Sequence, residues 1–133
     1  MSASTDKAVK RPLSPHLSIY KPIPTMVMSI SHRITGGALY FGTLLVAWWL
    51  IAAASGPAYF DFVNGIYGSF LGRLVLFAYT FVLIHHLLGG IKHLAWDLGH
   101  GFEKHFATNV AKAQPVLAGA LTVLVWIAGT IAR

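Results

Sequence analysis

The chain has 133 residues, 56% of them hydrophobic and only 11% charged, a formal net charge of +6 and no cysteine. Its mean hydropathy of +0.64 and low charge place it outside ordinary soluble domains, where about a quarter of residues are charged, and among membrane proteins. The absence of cysteine excludes disulfides and thiolate ligands for an iron–sulfur cluster. The basic residues flank apolar runs instead of forming one patch, so the positive-inside rule accounts for them and nucleic-acid binding does not.

Residues 1–24 are polar, basic and rich in proline (Pro12, Pro15, Pro22, Pro24). No apolar run follows the charges within this segment, so it does not read as a cleavable signal. It is too rich in proline for one regular helix. We expect an arm on the cytoplasmic side, lying along the membrane surface or a partner, with Leu17, Ile19 and Tyr20 to bury. The anchor proper is then 25–133.

Thr25 is a candidate helix cap. Residues 34–54 carry no charge and end near Trp48 and Trp49, so the first span is placed at about 29–54, long enough for a ~30 Å hydrocarbon core and anchored by an aromatic belt. Ser55-Gly56-Pro57 breaks it. A connection to Gly68 follows. The second span is placed at about 69–96, its uncharged part bracketed by Arg73 and Lys92. Gly68 and Gly72 form a GxxxG pattern at its edge, a weak sign of a close helix contact. A polar loop with His100, Glu103, Lys104, His105 and Lys112 precedes Pro115, which suits the first turn of a third span at about 113–132. The expected fold is an all-α membrane protein with three transmembrane helices. Lys7, Lys10, Arg11, Lys21 and Arg33 precede the first span, and Lys92, Lys104 and Lys112 surround the second loop. The N-terminus and that loop are therefore expected in the cytoplasm, with the C-terminus outside. No long arginine-rich transit segment is seen, which favours a bacterial inner membrane over a mitochondrial one.

Two groups of residues carry chemistry. His86 and His93 are seven apart on one helix, so they share a face, with Gly89 and Gly90 on or beside it. His86 lies about 10–15 Å in from the cytoplasmic helix end at 1.5 Å per residue. A neutral imidazole at that depth wants a metal or a hydrogen-bond partner. A face of histidine, glycine and histidine lets a flat ligand approach the backbone, as haem requires. From spacing alone, a histidine bonded to a neighbouring helix fits equally well, and His85, about 100° away around the helix, competes as the ligand. Trp96 suits an interfacial anchor, and Asp97 can cap, pair with Lys92 or Arg33, or carry protons. The second group is Ser29, His32 and Arg33, at i, i+3 and i+4 on one helical face where the first span enters the membrane. A hydroxyl and a guanidinium there can hold a quinone carbonyl or a propionate. The plainer reading, a snorkelling arginine at a helix end, is favoured by position alone.

Both groups match one family. Arg11-Pro12-Leu13-Ser14-Pro15-His16-Leu17-Ser18-Ile19-Tyr20, then Ser29-Ile30-Ser31-His32-Arg33-Ile34-Thr35-Gly36, and finally residues 86–99 with His86, Gly90, Lys92, His93 and Asp97, resemble the signatures of the cytochrome b subunit of succinate dehydrogenase, the larger membrane anchor of respiratory complex II. The resemblance covers nearly the whole chain. Lys92 departs from the family's usual arginine, which keeps the charge and loses bidentate bonding. The resemblance implies that His86, not His85, is an axial ligand of haem b, with the second ligand from another small anchor subunit. It implies that Ser29 and Arg33 bind the quinone (ubiquinone as substrate), and that His32 and His93 sit near the haem propionates. Implied partners are a second membrane anchor, an iron–sulfur subunit contacting the proline-rich arm, and a flavoprotein subunit. Succinate would be oxidised at a flavin and electrons passed to quinone. The likeness to mitochondrial relatives implies an alphaproteobacterial source. Competing readings are a haem b anchor of fumarate reductase or another membrane dehydrogenase, and a haem-free subunit that carries protons or serves as structure.

Overall fold

The computed structural model describes His16 and residues 19–132. The expected arm over 1–24, including most of the first signature, therefore lies largely outside the described residues. Four helices follow one another: α1 Pro24–Ser55, α2 Pro57–Gly68, α3 Phe70–Asp97 and α4 Lys104–Ile131. The described residues contain no strand. Helices α1, α3 and α4 are each long and apolar enough to cross a membrane, as expected.

Pro24 occupies the first turn of α1, where its missing N–H costs nothing. The cap position is Ile23, without a side-chain bond, so Thr25 lies inside the helix and does not cap it. At 32 residues and 1.5 Å each, α1 is about 48 Å long and extends past the hydrocarbon. Gly56, at φ 117°, turns the chain. Pro57 then starts α2 instead of merely ending α1. The connection to Gly68 is thus mostly helix. α2 is fastened back onto α1: Trp48 Nε1 donates to the Tyr59 hydroxyl at 2.9 Å, Trp49 Nε1 donates to Asn64 Oδ1 at 3.0 Å, and the Tyr67 hydroxyl donates to the Leu45 carbonyl at 2.7 Å.

Ser69 caps α3, its hydroxyl accepting from the Gly72 N–H at 3.1 Å. A Cβ on Gly72 would collide with the Ile66 and Tyr67 backbone, while Gly68 faces open space. Gly72 alone of the pair therefore serves the tight α2–α3 corner. Glu103 caps α4 by accepting from the His105 and Phe106 N–H groups at 3.1 and 3.0 Å. Helix α4 thus starts at Lys104, and Pro115 lies within it instead of at its first turn. The polar residues 104–112 hid this start, because hydropathy registers only the membrane part.

Helix α3 packs between α1 and α4, and α1 touches all three other helices. The contacts use small residues: Gly42 lies against the Tyr79 ring, and Ala52, Ala111, Ala118 and Thr122 are buried. Close approach through small side chains is how helices pack where lipid removes the hydrophobic drive. Most large apolar side chains face outward, toward lipid or other chains.

Candidate functional site

The site is built where the start of α1 meets the later half of α3. Thr35 and Gly36 of α1 face His86 of α3. The Nδ1 atom of His86 lies 3.1 Å from the His32 carbonyl oxygen and 3.2 Å from Thr35 Oγ1. A carbonyl only accepts, so Nδ1 carries the hydrogen. The Thr35 hydroxyl in turn donates along its own helix, 2.9 Å from the Ser31 carbonyl and 3.0 Å from that of His32. This fixes the His86 tautomer: Nε2 holds a lone pair and has no hydrogen-bond partner. It is also absent from the buried, unpartnered polar atoms among the described residues, so it is accessible from outside the chain.

His32 reaches across from α1 and stacks flat on His86, with ring centroids 4.0 Å apart and planes within 3°. It also meets His93, ring centroids 5.1 Å apart with a tilt of 51°. His93 in turn stands edge-on to Trp96 at 5.2 Å. The three histidines expected to act together are therefore brought together, in the order His86, His32, His93. The His86 ring sits in a slot, because a Cβ on Gly36 would lie 2.9 Å from its Cε1.

The two glycines between His86 and His93 divide their roles. A Cβ on Gly89 would collide with His32 Nδ1 and lie 3.1 Å from Gln114 Nε2. Gly89 thus makes room for a protein ring, contrary to the expectation of an open face there. Gly90, one turn beyond His86, has nothing within 4 Å. It is the glycine against which a flat group can lie.

His85 points the other way. It is buried between α3 and α4, its carbonyl accepts from Gln114 Nε2 at 3.1 Å, and its ring leans on Phe81 at 5.8 Å. Its Nδ1 is buried without a partner, as are His32 Nδ1 and Gln114 Oε1.

Ser29 is half-buried and Arg33 exposed, one turn apart on the first turns of α1, at the same end of the bundle as His93. Neither has a polar partner among the described residues. A cavity of about 300 Å³ opens at this end, but it is lined by α3 and α4, including Leu88, Lys92, Trp96 and Phe106. Neither Ser29 nor Arg33 lines it. Lys92 is buried with its Nζ over the Trp96 ring at 4.9 Å, and Asp97 is exposed and pairs with neither Lys92 nor Arg33.

Thr35, Gly36 and Gln114 belong to this arrangement and were not singled out from sequence. Gln114, an amide among apolar residues, was the legible signal; Thr35 and Gly36 acquire meaning only once α1 is laid against α3.

Among the described residues no three His, Cys, Asp or Glu side chains converge as a bare metal ion would need. A single presented imidazole beside an open glycine fits an iron held in a macrocycle. Residues 7–129 match the family described as succinate dehydrogenase/fumarate reductase transmembrane subunit. The chain belongs to that family. It is 39% identical over 118 residues to the succinate dehydrogenase cytochrome b556 subunit of Rickettsia felis, covering 89% of this chain and 92% of that one. The protein of the same name from Paracoccus denitrificans is 39% identical over 119 residues, covering 87% and 92%. The mitochondrial succinate dehydrogenase cytochrome b560 subunit of Bos taurus is 42% identical over 100 residues, covering 74% and 59%. Members of the family with these names are membrane subunits of an enzyme complex, which agrees with the three apolar helices found here.

Proposed function

We propose that the chain is the haem b-bearing membrane anchor of a succinate:quinone oxidoreductase in a bacterial cytoplasmic membrane. The observation that carries this reading is the His86 imidazole, with Nδ1–H held by the His32 carbonyl and Thr35 and with Nε2 left free. Anchoring one ring nitrogen fixes the orientation and basicity of the other, which is the usual support for a metal-binding histidine. The relatives' names, with cytochrome b in each, support the same cofactor.

His86 is the proposed axial ligand, and the second ligand comes from a partner anchor subunit. Bound haem supplies a one-electron store beside the route to quinone. The chain's own residues do the rest. Thr35, Gly36 and the His32 carbonyl aim His86. His32 and His93 would meet the propionates of the bound group. Arg33 and Ser29 offer a guanidinium and a hydroxyl to a ubiquinone carbonyl, holding negative charge at that oxygen as it is reduced. Iron–sulfur and flavoprotein subunits would deliver electrons from succinate. The family description also covers fumarate reductases; the relatives' names favour succinate oxidation.

The test is the visible spectrum of the purified complex carrying single histidine variants. His86→Ala is expected to abolish or shift the b-type haem band, and His85→Ala to leave it in place. The opposite pattern would overturn the assignment.

A further inference from the structure

A cavity of about 670 Å³ lies at the other end of the bundle from the histidines. Arg73, on its rim, is 13 residues before His86 on α3, or about 20 Å along the helix axis. Its walls are amphipathic. Trp49, Tyr67 and Trp126 supply aromatic surface, and Leu76 and Val125 supply aliphatic surface. The indole of Trp126 is tied to Thr80 at 3.2 Å and that of Trp49 to Asn64 at 3.0 Å, so both rings are held in place.

Arg73 is the only lysine or arginine between Arg33 and Lys92 in the sequence. The positive-inside pattern that explains the basic residues of the N-terminal segment and the second loop leaves it out, because it falls at the opposite membrane face. It is exposed and has no carboxylate partner among the described residues. A free guanidinium beside indole and phenol rings at the membrane boundary complements a phosphate at headgroup depth, and the aliphatic wall continues toward the apolar part of the span. We infer that this cavity binds one anionic phospholipid of the outer leaflet, its phosphate on Arg73 and an acyl chain against Leu76 and Val125.

The test uses the whole complex, purified in mild detergent. It is loaded with mixed micelles of phosphatidylglycerol and phosphatidylcholine and washed in lipid-free detergent, and retained lipid per chain is measured by mass spectrometry. Wild type is expected to keep phosphatidylglycerol in preference to phosphatidylcholine. Arg73→Gln should lower phosphatidylglycerol retention about tenfold, the scale of one hydrogen bond to a charged group, while Arg73→Lys retains more than Arg73→Gln. Gly129 lines the cavity and has nothing within 4 Å of a Cβ placed there, so Gly129→Leu should fill the space and displace the lipid without disturbing the helices. Succinate–quinone turnover unchanged in these variants would verify assembly, and the lipid readout depends on neither haem nor quinone. Equal phosphatidylglycerol retention in wild type and both cavity variants, equal loss of both lipids from Arg73→Gln, or loss of quinone in place of lipid would each overturn the inference. A wild-type complex retaining no phosphatidylglycerol would do the same, and would indicate that another subunit covers this face.

Discussion

The His32 imidazole of α1 lies flat on that of His86 of α3, centroids 4.0 Å apart and planes within 3°, while the His32 carbonyl accepts from the same His86 ring. One residue thus holds its neighbour twice, once by its backbone and once by its side chain. Substitution of His32 removes only the second hold, so the aiming of His86 and the ring stacking can be separated. His32→Ala is expected to keep a haem band but to lower thermal stability by about 0.5–1.5 kcal/mol, the worth of an aromatic pair. Thermal melts read alongside the spectrum would check both; loss of the band would mean that the ring, not the carbonyl, aims His86.

Gly36 and Gly37 are adjacent and should behave oppositely. A methyl on Gly36 meets the His86 ring at 2.9 Å, and one on Gly37 meets nothing. Gly36→Ala should therefore displace His86, at about 1–3 kcal/mol for overpacking, and reduce haem content. Gly37→Ala should leave haem content unchanged. Haem per chain, from the absorbance of purified complex, decides it.

Gly89 and Gly90 offer a second pair. Gly89→Ala pushes into His32 and Gln114 and should destabilise the α1–α3–α4 packing whether or not haem is present. Gly90→Leu enters open space, so it should leave the helices packed and exclude the flat ligand. Comparing thermal stability with haem content in the two variants tests this: stable but haem-poor for Gly90→Leu, unstable for Gly89→Ala.

Arg33 has no partner among the described residues, so its removal strands no buried group among them. Arg33→Ala is expected to lower quinone turnover by about tenfold to a hundredfold, the range for a lost charged hydrogen bond, with the haem spectrum intact. Steady-state quinone kinetics would check it, and an unchanged rate would remove Arg33 from the quinone site. Ser29→Ala should act in the same direction and more weakly, because a neutral hydroxyl contributes about 0.5–1.5 kcal/mol.

Thr35→Val deletes the hydroxyl that shares the His86 Nδ1–H. The His32 carbonyl still accepts that hydrogen, so haem should stay bound while its midpoint potential shifts. A redox titration of the b-type band measures the shift; an unaltered potential would show that the carbonyl alone sets the ligand.

The sequence by itself determined the three spans, because lipid demands uninterrupted apolar runs of a set length, and long runs are visible without a fold. It also put His86 and His93 on one face, since helical periodicity is local. It did not reveal α2, whose Pro57 reads equally as a stop and as a start, nor the start of α4, whose polar first turns carry no hydropathy signal. Tertiary structure alone decided which glycine is filled and which is open, and which nitrogen of His86 is free. Those answers depend on α1 reaching α3 with Thr35 and Gly36 at the level of His86. Contact between residues about fifty positions apart is set by how the helices pack, and no local pattern encodes it.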